Sequence, residues 1–134
     1  MKVLNKALSA ASTLAVIVFV FLAYGSVDNR WYRVVTIEGN SMAPTMWYGD
    51  LMVVTPPTRT IPVNSIILMN IAGNLVTHRL VGFDAAGKPI TKGDANESID
   101  NFTNPDLKII GISRFRLPGF GYPLLYLSRL LGKA

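Results

Sequence analysis

The pattern of hydrophobic and polar positions along the chain begins with a long apolar segment. Residues 7–24 form a run of 18 residues without a charge. As a helix rising about 1.5 Å per residue, this run reaches roughly 27 Å, close to the thickness of a bilayer's hydrocarbon core. The pattern therefore predicts a membrane anchor over residues 1–25. A cleavable signal peptide is the alternative, since Ala23 and Gly25 offer an A-x-A-like site, but its apolar core is usually only about 7–15 residues long.

Short β-type runs follow the anchor and are separated by strong turn signals. Pro56 and Pro57 form an irregular link, and residues 72–74 and 84–87 have the composition of hairpin turns. The predicted strands are residues 32–37, 51–55, 66–71, 75–83, 89–91 and 108–114. Many short strands with no helix between them predict a mainly β domain over residues 26–116, built as a small antiparallel coiled β-sheet or barrel.

The last part of the pattern is a short apolar tail, residues 117–134. Proline and glycine interrupt its first half, so only residues 124–131 can form a regular helix, and Arg129 lies on it. Such a helix is too short to cross a bilayer, and its composition favours a segment that lies on the membrane surface. Packing of the tail against the β domain is the alternative.

Composition and charge narrow the classes of function. The chain has 134 residues, of which 50% are hydrophobic, and a net charge of +5. Its basic residues flank the apolar segments, as membrane-interface anchors do, and the sequence shows no aromatic–basic interleaving of the kind that binds nucleic acid. The lack of cysteine excludes a disulfide framework and a thiol nucleophile. The single histidine excludes sites that need two imidazoles, so we expect no metal and no cofactor.

Residues 38–47 provide a setting for a nucleophile. Ser41 lies between the small turn residues Gly39-Asn40 and the stiff pair Ala43-Pro44, directly after a β-branched run. This places a hydroxyl on a sharp bend at the end of a strand, with backbone N–H groups close by to receive an oxyanion. A serine in an ordinary turn is the alternative, because the same residue types are common in turns.

An activated serine needs a base within hydrogen-bond reach and a group that orients the base. The chain has one imidazole, His78, and imidazole is the usual general base at neutral pH. Asp94, Glu97 and Asp100 offer carboxylates in the polar loop of residues 92–106. Spacing alone does not show whether these groups meet, and a lone histidine in a strand is also a common structural residue.

Five stretches, taken in order, resemble those of signal peptidase I of the endoplasmic-reticulum and archaeal type. They are residues 39–45, Gly49-Asp50 before an apolar strand, Thr77-His78-Arg79, residues 91–96 with Asp100 beyond them, and residues 111–122. The apolar segment stands where that family has its anchor, so the resemblance covers nearly the whole chain. Bacterial-type members use a lysine where this chain has His78, which places the resemblance with the Ser–His type.

The resemblance implies a membrane-bound serine endopeptidase that removes signal peptides from exported pre-proteins. Ser41 would be the nucleophile and His78 the general base. Asp100 would orient the imidazole and Asp94 would support the site, although the roles of the two aspartates could be exchanged. The backbone N–H of Ser41 would receive the oxyanion, since Gly39 has no hydroxyl to help it.

The family's substrates carry small residues at positions −1 and −3, which an extended peptide on a sheet edge would direct into two shallow pockets. Residues 32–37 or 66–71 would form that edge. Trp47 and Tyr48 would either lie among lipid headgroups or pack in the core. The implied setting is a single-pass anchor with the catalytic domain on the extracytoplasmic side, an orientation that the flanking charges favour only weakly. Accessory membrane subunits are a further partner that the resemblance leaves open.

Two other functions stay open. One is a dedicated protease of the same chemistry that processes only a few substrates, which its substrate range would distinguish. The other is an anchored β domain that binds peptides without cutting them, in which Ser41, His78 and Asp100 would be dispensable.

Overall fold

A computed structural model of the chain describes residues 2–26, 31–101 and 107–132. It contains a long first helix, six strands and a short last helix. In chain order these are α1 (Lys2–Ser26), β1 (Arg33–Thr36), β2 (Leu51–Thr55), β3 (Ile66–Ile71), β4 (Asn74–Phe83), β5 (Pro89–Lys92), β6 (Lys108–Leu117) and α2 (Tyr122–Leu130).

Helix α1 extends beyond the predicted apolar run at both ends. Its segment Lys2–Phe21 is long and apolar enough to cross a membrane, and none of it is buried against the rest of the chain. Tyr32, just before β1, joins the helix to the sheet. Its hydroxyl donates a hydrogen bond to the carbonyl of Phe21 at 2.9 Å, and the two rings stack with their centroids 4.5 Å apart.

The strands form one open antiparallel sheet in the order β1-β2-β6-β3-β4-β5. This confirms the prediction of a mainly β, antiparallel domain with an N-terminal apolar helix. The β3–β4 hairpin turns through Ala72 and Gly73, which both have positive φ, as a tight two-residue turn requires. β6 runs three residues further than predicted, because it pairs with β2 as far as Leu117.

The sheet order corrects one prediction. Residues 66–71 form β3, which lies between β6 and β4 and therefore has no open edge. The edge strands of the sheet are β1 and β5. Of the two stretches proposed for peptide pairing, only the first, residues 32–37, is at an edge.

The turn that follows β1 contributes side chains to the hydrophobic core. Met42 and Met46 of this turn are 1% and 3% exposed and pack in a buried cluster with Met52, Val54 and Leu68. A turn with two large apolar side chains in the core is held in place by the hydrophobic effect as well as by its hydrogen bonds. The core therefore fixes the position of Ser41, which directly precedes Met42.

Helix α2 begins two residues earlier than predicted, at Tyr122. Pro123 lies in its first turn, where a missing N–H group is no loss to the helix. Leu125 is buried, and Leu124 packs on the cluster formed by Val34, Leu51 and Val53. The opposite face exposes the apolar side chains of Tyr126, Leu127 and Leu130. One face of the tail thus packs on the domain, and the other is open.

Candidate active site

Ser41 stands at the start of a tight turn whose conformation is set by local hydrogen bonds. The N–H of Ala43 donates to the carbonyl of Asn40 at 3.0 Å, and the N–H of Met46 donates to the carbonyl of Met42 at 2.9 Å. Ser41 itself is half-buried. Within the described ranges its backbone N–H has no protein acceptor, so this N–H is available to a ligand.

His78 is in the middle of β4, opposite Ile67 of β3, and is 7% exposed. Its Nε2 lies 3.1 Å from Oγ of Ser41, and its Nδ1 lies 2.5 Å from Oδ2 of Asp100. A carboxylate accepts hydrogen bonds only, so Nδ1 donates to Asp100, and Nε2 in this tautomer can accept a hydrogen bond from the serine. Ser41 and His78 are 37 positions apart in the chain, and His78 and Asp100 are 22 apart. The fold brings these three residues into one hydrogen-bonded row.

Asp100 is held in turn by β5. The hydroxyl of Thr91 donates to Oδ2 of Asp100 at 2.7 Å, and the N–H of Asp100 donates to the carbonyl of Thr91 at 2.8 Å. Oδ2 of Asp100 therefore accepts from two donors, Nδ1 of His78 and the hydroxyl of Thr91. This contact fixes the direction of the carboxylate and, through it, the orientation of the ring.

Asp94 is placed differently from Asp100. Its Oδ1 accepts from Nε of Arg79 at 2.8 Å, and its Oδ2 accepts from Nη2 of Arg79 at 2.6 Å and from the hydroxyl of Thr45 at 2.5 Å. The hydrogen bond from Arg79 lowers the pKa of Asp94 below its usual range, against the opposing effect of burial. Of the two aspartates, Asp100 thus contacts the imidazole, and Asp94 contacts Thr45 of the turn and Arg79.

An open groove of about 810 Å³ ends at Ser41. Residues 33–39 form one wall, residues 75–77 form the other, and Leu68 lies at its base. Within the part of the chain that the structure describes, β1 pairs with β2 alone and residues 75–77 pair with β3 alone, because the pairing of β4 with β5 begins at Arg79. Among the described residues, each wall of the groove therefore includes the edge of a strand.

Several residues that shape the site were missed by sequence reasoning. The sequence motifs include Arg79 and Thr45 but assign neither of them a role. Asp50 and Arg116 form an ion pair at 2.7 Å between Oδ2 and Nε, and Arg116 also donates to the carbonyl of Thr45. The opposite charges of Asp50 and Arg116 are visible in the sequence, but their pairing could not be predicted because it depends on β2 lying beside β6.

Trp47 and Tyr48 differ in their surroundings. Trp47 is 50% exposed. Tyr48 is half-buried, its ring lies 6.2 Å from that of Tyr122, and its hydroxyl accepts from Arg129 at 2.7 Å. Tyr48 therefore packs against the domain, whereas the side chain of Trp47 is half exposed.

An antiparallel sheet that brings a serine, a histidine and an aspartate into a hydrogen-bonded row beside a peptide-sized groove has the architecture of a serine hydrolase. Residues 14–113 match the family model of the Peptidase S24-like proteins, and the chain belongs to that family.

The chain is also similar to curated relatives from two strains of Ajellomyces capsulatus, each a "Signal peptidase complex catalytic subunit SEC11". Each is 25% identical over 150 residues, which cover 93% of this chain and 80% of the relative. Together with the family match, these relatives confirm the resemblance to signal peptidase I of the endoplasmic-reticulum type and the prediction of a hydrolytic enzyme. The roles of Ser41, His78, Asp100 and Asp94 stay predictions.

Proposed function

We propose that this peptidase is a membrane-bound serine endopeptidase that removes signal peptides from exported pre-proteins after a small-x-small sequence. The observation that carries the proposal is the row of Ser41, His78 and Asp100 at the end of the groove, with 3.1 Å between the hydroxyl and the imidazole. The names of the relatives supply the substrate class, since both are catalytic subunits of a signal peptidase complex.

In the proposed reaction, Oγ of Ser41 attacks the scissile carbonyl while Nε2 of His78 takes its proton. Asp100 accepts the hydrogen bond from Nδ1 and stabilises the imidazolium. The backbone N–H of Ser41 receives the oxyanion. His78 then gives the proton to the leaving amine, and a water molecule, activated by the same imidazole, hydrolyses the acyl-enzyme. Asp94 takes no part in these transfers and supports the turn through Thr45.

The groove supports an extended substrate. A peptide lying between residues 33–39 and residues 75–77 can pair its backbone with either wall, as in recognition by strand addition. Successive side chains of such a peptide alternate between the two faces of the strand, so those at −1 and −3 both point towards the base of the groove. Met42 and Leu68, both buried, line the groove together with Ser41, and in the proposed function they exclude large side chains at −1 and −3.

The proposed setting is a single-pass anchor, α1, with the catalytic domain on the extracytoplasmic side. Tyr32, just before β1, contacts Phe21 in the last turns of α1, so in this proposal β1 begins close to the boundary of the bilayer. Leu124 of α2 packs on the same cluster as Tyr32, which puts the exposed apolar face of α2 at a similar depth. We therefore also propose that the tail lies on the membrane surface. Accessory membrane subunits are part of the proposal, because the relatives are named as subunits of a complex.

The test is cleavage of a model pre-protein in liposomes by the purified full chain. Ser41→Ala and His78→Ala are each expected to lower kcat by at least about 10³-fold, as the loss of a nucleophile or its base does in serine proteases. Ser98→Ala, an exposed serine in the polar loop, is the matched control and should cleave at the native rate.

The same assay separates the alternatives. A panel of unrelated pre-proteins distinguishes a general signal peptidase, which cuts most of them, from a dedicated protease, which cuts few. Binding of pre-proteins without cleavage by the native chain would contradict the proposed function and identify a peptide-binding module.

A further inference from the structure

Thr45 lies four residues after Ser41 on the same turn, and polar contacts hold it from two sides. Its hydroxyl donates to Asp94 at 2.5 Å, and its carbonyl accepts from Nη1 of Arg116 at 2.5 Å. Each partner belongs to an arginine–aspartate pair, and the two pairs come from different parts of the sheet. Thr45 is therefore the point at which both pairs reach the nucleophile turn.

The first pair, Arg79–Asp94, ties the turn to the strand that carries the base. Arg79 follows His78 directly on β4, so the backbones of the two residues move together. Two nitrogens of its guanidinium bond the two oxygens of Asp94, the fork geometry that gives an arginine–carboxylate pair its rigidity. Next to Asp94, the N–H of Ala95 donates to the carbonyl of Ser41 at 2.9 Å.

The second pair, Arg116–Asp50, ties the far end of the turn to β6. Asp50 is 3% exposed and accepts from Nε of Arg116 at 2.7 Å, from the N–H of Trp47 at 2.8 Å and from the N–H of Gly119 at 2.9 Å. A buried carboxylate with three donors is costly to displace, because each lost bond leaves a charge without a partner. The backbone after Thr45 is thus anchored independently of His78.

We propose that Thr45 is a positioning residue for Ser41, whose hydroxyl locks the nucleophile turn to the strand of the general base. The inference rests on the proposed function. Thr45 is not among the residues that line the groove, but its bond to Asp94 and the bond from Ala95 to Ser41 join the turn to the β4–β5 side of the site. Removing the hydroxyl leaves the Arg79–Asp94 pair intact and frees the turn to shift against it.

A small shift has a large effect on the reaction. Ser41 and His78 must meet at hydrogen-bond distance, and a misplacement of about 1 Å can cost roughly 10²-fold in rate. Substrate binding depends on the groove walls and should change little. The expected signature is a fall in kcat at nearly constant KM, which a general loss of folded protein would not give as long as the active fraction is titrated.

The test compares Thr45→Val, which has the shape of threonine without the hydroxyl, with Thr45→Ser, which keeps it. Pre-protein cleavage in liposomes and the rate of Ser41 labelling by a fluorophosphonate are measured on the full chain, with Ser41→Ala as blank. We expect kcat and the labelling rate to fall about 10- to 100-fold in Thr45→Val, and to return to within about threefold of native in Thr45→Ser. Thr55→Val is the matched control, since the hydroxyl of Thr55 accepts from Arg114 at 2.9 Å on the exposed part of the β2–β6 pair.

Native rates in Thr45→Val, equal losses in the valine and serine variants, or a loss in Thr55→Val as large as in Thr45→Val would each overturn the inference. In these cases the native chain still cleaves and Ser41→Ala does not, so the proposed function stands. A native chain that neither cleaves nor reacts at Ser41 overturns the proposed function and the inference together.

Discussion

Replacing Asp100 by asparagine isolates the effect of one negative charge, because the two side chains have nearly the same shape. Oδ2 of Asp100 lies 2.5 Å from Nδ1 of His78 and accepts from Oγ1 of Thr91 at 2.7 Å. Both contacts meet at one atom, so an amide oxygen in that position can keep both. The hydroxyl of Thr91 is a donor and disfavours the reversed amide. The imidazole of Asp100→Asn therefore keeps its tautomer, and only the charge is lost.

The size of the effect follows from the distance between the charges. The centres of an imidazolium and a carboxylate in such contact are about 4 Å apart, and at an effective dielectric constant of about 20 their attraction is about 4 kcal/mol. At about 1.4 kcal/mol per factor of ten, kcat should fall about 10³-fold. KM should change little, because Asp100 does not line the groove.

Single-turnover cleavage of a pre-protein in liposomes measures this effect without a contribution from product release. Glu97→Gln is the matched control, since Glu97 is an exposed carboxylate of the same loop and should be dispensable. A fall of less than tenfold in Asp100→Asn would refute the argument from charge. A fall near 10⁴-fold would refute the argument from Thr91, because it would show the amide turned to hold the wrong tautomer.

Three further changes have definite expected results. His78→Lys should be as inactive as Ser41→Ala in the cleavage assay, because Asp100 holds a lysine in its charged form, unable to act as a base; activity close to native would show that the aspartate is not needed for the base. Gly121→Ala should destabilise the fold by about 1–3 kcal/mol in urea unfolding, since its Cβ would lie 2.8 Å from the carbonyl oxygen of Gly49, whereas Gly82→Ala, with open space around it, should cost less. Because the pKa of Asp94 is lowered in the folded state, its contribution to stability is present above about pH 4 and is lost as the pH falls through the folded value. Asp94→Asn should thus be less stable than native at pH 7, with a difference that narrows in acid, and a difference independent of pH would contradict this.

Local patterns were sufficient where a segment's structure is determined by its own residues. The bounds of β2 and β3 were predicted correctly, because both are apolar runs between proline, glycine and polar turns. The β3–β4 hairpin followed from Ala72-Gly73-Asn74 in the same way. Ser41 and His78 could be chosen as candidates, but only the family resemblance suggested that they meet.

Long-range pairing could not be predicted in this way. The insertion of β6 between β2 and β3 joins segments far apart in the chain, and no local signal specifies it. This one feature moved residues 66–71 from an edge to the interior and placed Arg116 beside Asp50. The contact of Thr45 with Asp94 likewise depends on the return of the loop after β5.

The two open walls of the groove carry a hazard as well as a function. Unpaired strand edges attract any extended chain, including a second copy of the same protein, and soluble proteins protect such edges by charge or by shortness. β1 is only four residues long, begins at the charged Arg33 and is followed by the exposed Glu38, features that discourage edge-to-edge association. Variants that lack the charges of Arg33 and Glu38 should therefore self-associate through β1 when many copies are crowded together without substrate. A peptide bound in the groove would cover β1 and prevent this association.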